Sequence, residues 1–252
     1  MRRHFFKLVP LAGLLAVGGL SISSGQLPFL GGSQQVAATS YRTMSVTLKD
    51  GSTSQVRWNA CQKTITYAVN LAGVKSGAKA DTLRMVRKGF AKLAAINGIS
   101  YTYKGTTSFV PTKENLAASP AEIVVAVVNK GRTDFSFAKD TLGVGGVLWN
   151  SWTTSSGGTG VAAVRGYAIL NASSLPGLKK GFGEGTTQGN LLLHELGHVM
   201  GLEHVQTTKN LMDPELTKYA PNAYGPGDKA GLVALADGCI DVPGNLAVKD
   251  LN

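Results

Sequence analysis

Ile65-Thr66-Tyr67-Ala68-Val69-Asn70 alternates apolar and polar positions, the period of a strand. The period then changes. From about Lys79 to Asn97, apolar residues recur at helical spacing: Leu83, Val86, Phe90, Leu93 and then Ile96 or Asn97. Asp81 near the start and Gly98 past the end mark this as an amphipathic helix. Ile99 to Lys104 reads as a second strand. Ala121 to Asn129 (AEIVVAVVN) is β-branched and apolar, which predicts a central strand buried on both faces. Residues 131–165 lose the pattern and fill with glycine, serine and threonine, including Gly143-Val144-Gly145-Gly146 and Ser155-Ser156-Gly157-Gly158. Arg165 to Asn171 is a further strand. A glycine-rich passage, 181–189, leads into a helix from about Asn190 to Met200, whose rear face Leu192, Leu193, Leu196, Val199 and Met200 can bury. A last helix opens at Gly227-Asp228 and runs to about Asp237. Strands interleaved with helices make this an α+β or mixed α/β chain.

The ends read differently. Arg2, Arg3 and Lys7 precede an apolar run from Leu8 to Leu20, too short for a comfortable membrane span, and small and polar residues follow. This is the pattern of a secretory signal peptide, cleaved near Gly25 or after Ala38. An uncleaved anchor is the rival reading, because mildly apolar residues continue to Leu30. Residues 39–57 are polar, with alternation at Met44, Val46 and Leu48 and an Asp50-Gly51 turn signal, which predicts a small hairpin. Residues 58–252 then form one domain, with no internal repeat.

Composition changes the picture in two places. The formal charge is +10, and residues 1–38 hold three basic and no acidic residues, leaving +7 from Thr39 onward. Such a protein is drawn to anionic cell-wall or membrane surfaces, or the charge simply keeps it soluble. The basic residues are scattered and no nucleic-acid motif occurs, so a nucleic-acid partner is not expected. Two cysteines, Cys61 and Cys239, stand near the two ends of the domain, and an isolated pair in an oxidising compartment predicts a disulfide.

The chemistry sits in one stretch, His194-Glu195-Leu196-Gly197-His198-Val199-Met200-Gly201-Leu202-Glu203-His204. Two histidines four apart on a helix project from one face and can bind one metal ion. Glu195 falls between them in angle and reaches a water on that metal without being a ligand. Gly201 accepts the positive φ that ends the helix, so His204 can return as a third ligand. Three imidazoles with an open position suit a catalytic zinc.

HELGHVMGLEH and the following Asn210-Leu211-Met212-Asp213-Pro214 resemble the metzincin zinc metalloproteases, with Leu-Met-x-Pro closest to the matrixin branch. Astacin-like and serralysin-like members carry a tyrosine where Pro214 stands, and snapalysin-like members an aspartate where His204 stands. The resemblance implies a twisted, mostly parallel sheet with two long helices and a small C-terminal subdomain. It implies that Met212 forms a hydrophobic floor beneath the zinc, and that residues 219–224 wall the pocket for the side chain after the scissile bond. It also implies an ordered loop and an edge strand within 131–165. Matrixin metal-binding loops are aspartate-rich, whereas this stretch holds only Asp134 and Asp140, a poor basis for a structural calcium. Trp149 and Trp152 either line a substrate groove or cap the core. Matrixin pro-segments block the zinc with a cysteine in a Pro-Arg-Cys-Gly setting, which Trp58-Asn59-Ala60-Cys61-Gln62 does not match.

The expectation is a monomeric, secreted, zinc-dependent endopeptidase acting on proteins or peptides, with His194, His198 and His204 as ligands and Glu195 as general base. Two alternatives are a surface- or wall-binding module with this fold and little turnover, and a hydrolase of another amide-like bond.

Overall fold

The computed structural model describes residues 40–242 except 63, 138 and 139. The leader read over 1–38 and most of the tail lie outside the described residues. Among the described residues no helix is long and apolar enough to cross a membrane. The strands are β1 (Arg42–Thr43), β2 (Ser45–Thr47), β3 (Thr53–Gln55), β4 (Ile65–Asn70), β5 (Tyr101–Thr106), β6 (Ile123–Val128), β7 (Gly143–Thr153), β8 (Thr159–Asn171) and β9 (Leu202–Glu203). The helices are α1 (Lys79–Asn97), α2 (Gln188–Val199) and α3 (Pro226–Leu235).

The chain is a mixed α/β protein. Its main sheet has the order β5-β4-β6-β8-β7, parallel throughout except for β7, which runs antiparallel to β8 at the edge. β6 lies at the centre and all six of its residues are buried. Ile123, Val125 and Val127 face the core under the helices, while Val124, Ala126 and Val128 join Phe135, Val144, Tyr167 and Ile169 on the opposite face. A strand covered on both sides must be apolar at every position, which is why its sequence does not alternate.

α1 has the limits that its apolar stripe predicts. Gly98 ends it with φ 70°, its N–H returning to Ala94 O. Val86, Phe90 and Leu93 are buried, and Gly89 lets α2 approach so closely that a Cβ there would lie 2.8 Å from Leu192. β5 starts two residues later than expected, because Ile99 is drawn into the core and its N–H is held by Asn97 Oδ1. The hairpin foreseen in 39–57 forms as β2 and β3. Just before it, β1 pairs with β9.

The largest departure is in the glycine-rich region. β8 begins at Thr159 rather than Arg165, and Gly143 to Gly146 open β7, an edge strand of the kind the resemblance implied within 131–165. A Cβ on Gly143 would sit 2.5 Å from Glu195 Oε1, and one on Gly145 would collide with the Glu195 carbonyl oxygen. The glycines are there because α2 lies directly on the strand. Trp149 packs against the core, while Trp152 is part-exposed and donates to Asp241 O. Asp134 accepts a backbone bond from Lys113.

Cys61 and Cys239 form a disulfide across a separation of 178 residues, tying the segment before β4 to the end of α3. Trp58 nearby is buried and donates to Val199 O, satisfying a carbonyl at the last turn of α2.

Candidate metal centre

α2 starts with Thr187, whose hydroxyl accepts from Asn190 N, the usual side-chain satisfaction of an orphan first-turn donor. Every residue from Gly189 to Val199 is buried. His194 and His198 are therefore inside the protein, one turn apart on one face. The helix ends at Met200, and Gly201 takes φ 99° where a Cβ would lie 2.5 Å from Val56 O. The chain reverses there into β9, and His204 returns to the two helical histidines.

The three Nε2 atoms form a near-equilateral triangle with sides of 3.0, 3.1 and 3.2 Å. His194 Nδ1 lies 2.5 Å from Leu211 O, and His198 Nδ1 lies 2.8 Å from Leu202 O. A carbonyl only accepts, so in both rings the proton is on Nδ1 and the Nε2 lone pair points inward. Unprotonated nitrogens this close repel one another unless a cation joins them. Around a tetrahedral ion with bonds of about 2.0–2.1 Å, ligand atoms stand about 3.3 Å apart, so the residues fit a metal ion. They are the cluster of potential ligands found among the described residues.

Burial sets the protonation. It holds the His194 imidazole well below its ordinary value, and His198 and His204 reinforce this by their charge. Burial lowers His198 to about 4, and burial followed by the charge of His198 lowers His204 to about 3. All three are neutral at pH 7, the state that donates to a metal.

Glu195 is 1% exposed and burial raises its carboxyl well above the carboxylate range. Its Oε1 is fully buried with no hydrogen-bond partner. A bound dication would pull that value back down and stabilise the charge. Met212 lies beneath the helix, its Sδ against the Gly197 backbone between the two histidines, where a Cβ could not fit. Of the residues expected to wall a pocket, Tyr219 is 68% exposed, whereas Tyr224 is buried and donates to Leu193 O. Tyr224 thus supports α2 from inside.

Three supports were not singled out from the sequence. Asp228, buried near the start of α3, accepts from Leu211 N (2.5 Å), Gly225 N (2.8 Å) and Met212 N (3.3 Å). It fixes the peptide whose carbonyl orients His194. Burial lifts its carboxyl to about 6 against those three bonds. Asn210 accepts from Gly227 N and donates to Ser40 O, joining the Met212 loop to α3 and to the N-terminal segment. Asn190 donates to Gly183, Gly185 and Pro221 carbonyls, fastening the loop ahead of α2. An acidic residue two positions after a proline at a helix start was the one available signal for Asp228. No protein-family model matches the chain and no curated protein matches it, so the site is read from its own residues.

Proposed function

We propose that the chain is a secreted zinc-dependent endopeptidase of the metzincin type, matrixin-like, with its sheet, α1 and α2 and the α3 region as the corresponding fold. The observation that carries this reading is the convergence of three Nε2 lone pairs within 3.2 Å, with Glu195 next to His194 on the same helix. The order of residues in HELGHVMGLEH and the packing of Met212 under Gly197 support it. The Cys61–Cys239 bond supports an oxidising compartment outside the cytoplasm.

His194, His198 and His204 would hold the zinc, with Leu211 O and Leu202 O fixing two of the rings. Zinc, when bound, supplies a Lewis acid that acidifies water and polarises a peptide carbonyl. Glu195 takes the proton released as water oxygen bonds to the carbonyl carbon. It then delivers that proton to the nitrogen as the C–N bond breaks. Its buried, unpartnered Oε1 is an acceptor left open for this. Burial favours its protonated form, the state in which it holds the proton between the two transfers.

The test is cleavage of a mixed peptide pool by wild type and Glu195→Ala, with zinc measured on both. The expected result is retained zinc and a rate lower by a factor on the order of 10²–10⁴, with chelation abolishing wild-type cleavage. A wild type that holds zinc and cuts nothing would leave the surface-binding module. A mutant that cuts as fast as wild type would remove Glu195 from the mechanism.

A further inference from the structure

A concave site lies away from the metal centre. It is a groove of about 640 Å³ between the first half of α1, the loop after β4, the 175–177 turn and the loop before α2. None of the histidines, nor Glu195 or Met212, lines it. Its volume is within the range of about 300–1,000 Å³ typical of small-molecule sites.

The lining separates into two kinds of surface. Val74, Met85, Ala172, Leu175, Pro176 and Phe182 give apolar walls. Lys75, Lys88 and Lys180 are exposed cations at its rim. The one carboxylate in the lining, Asp81, is paired with the remaining cation, Arg84, at 3.1 Å. Three lysines are therefore left without a carboxylate among the lining residues. Lys88 and Lys92 also stand over the Phe182 ring, at 5.7 and 5.3 Å from its centroid, which gathers positive charge around the apolar wall.

We propose that this groove binds a single-chain anionic amphiphile, a long-chain fatty acid in its simplest form, with the tail between Met85, Leu175 and Phe182 and the carboxylate among the lysines. Charge selects the head group. The shape selects a ligand that enters the protein: the large exposed hydrophobics among the described residues are Tyr41, Tyr219 and Val233, and none borders the groove to insert into a bilayer. The walls select an acyl chain over a peptide. A buried peptide backbone needs hydrogen-bond partners. No strand edge lines the groove, and its one side-chain amide, Gln188, already donates to Leu175 O. Residues 1–38, basic and without a carboxylate side chain, have the wrong sign to occupy it. A second copy of this chain, which is +7 from Thr39 onward, is no better suited. The site stands whether or not the metal centre cuts peptides.

The test is calorimetric titration of the mature, zinc-loaded protein with laurate below its micelle concentration. Dodecanol and dodecyltrimethylammonium are run in parallel, so that head-group dependence is read on unaltered protein. The Lys88→Gln/Lys180→Gln double variant, whose changes are on exposed side chains, follows. One laurate per chain is expected, weakened tenfold or more by the double variant and by either change of head group. Absence of laurate binding, equal affinity for the neutral or cationic analogue, or an unaffected double variant would each overturn the proposal. Binding to phosphatidylglycerol vesicles that free laurate does not displace would overturn it in favour of a membrane. Binding of an acidic peptide at the lysines without competition from laurate would overturn it in favour of a peptide.

Discussion

Asp228→Asn separates support of the metal from support of the fold. In the protein the carboxylate accepts three buried backbone N–H groups, yet burial still lifts its pKa from 3.8 to about 6. At pH 7 the ionised form therefore costs the fold about 3 kcal/mol relative to the neutral one, at about 1.4 kcal/mol per unit. The cost is present above about pH 6 and is relieved as pH falls toward 3.8. Asparagine sheds it. Its NH₂ group, however, must face at least one of the same N–H donors, leaving that donor unmet at about 1–3 kcal/mol. The two effects oppose each other and are similar in size, so the metal-free variant should be within about 2 kcal/mol of wild type and folded. The change should appear at the metal instead. Leu211 N–H loses its ionic anchor, and the carbonyl of Leu211 orients His194. Disturbing such a partner weakens metal affinity by roughly 10–100-fold. Competition against a chromophoric chelator measures the affinity, and thermal melting of the stripped protein measures the fold. Zinc affinity within twofold of wild type would refute the chain of contacts from Asp228 to His194.

Acid should release the metal late: free histidine titrates near 6.5, but burial moves His198 to about 4 and His204 to about 3, so protons compete for Nε2 only as pH falls through about 4. Zinc content of dialysed samples across pH 7 to 3 checks this, and release centred near 6.5 would contradict the burial. The same depressed values give a stability contribution that is complete above 6.5 and lost as pH falls toward 4, since the unfolded chain takes protons that the folded one refuses; histidine NMR titration of stripped protein reads the shift directly. Reducing Cys61–Cys239 opens a loop of 178 residues, about 5 kcal/mol in the chain-entropy model, and should lower the melting temperature on the order of 10–20 °C. An unchanged melting temperature after verified reduction would show that the ends are held by other contacts.

Legibility in the sequence followed the range of each interaction. α1, β4 and the metal helix were readable because their signals are local: a stripe three or four residues apart, a terminal glycine, two histidines on one face. The disulfide was readable because two cysteines allow one pairing. β7 was implied by the resemblance as an edge strand but had no signal of its own, since Gly143 and Gly145 are required by contact with Glu195, fifty residues away, and glycine in isolation looks like a loop. The first residues of β8 failed for a related reason, because Thr159 to Val164 carry no alternation of their own and are ordered by pairing with β7. The supporting roles of Asn210 and Tyr224 were opaque, and Asp228 showed only as an acid at a helix start, because all three act through backbone groups of distant segments.

The bracing of the His204 region has a consequence in time. That region is gripped by β1 from one end of the domain, and the Leu211 loop next to it by Asp228 from the other. A chain leaving the ribosome displays all three histidines well before α3 exists to secure them. A product that stops short of Asp228 carries the three histidines without the carboxylate that anchors the Leu211 loop.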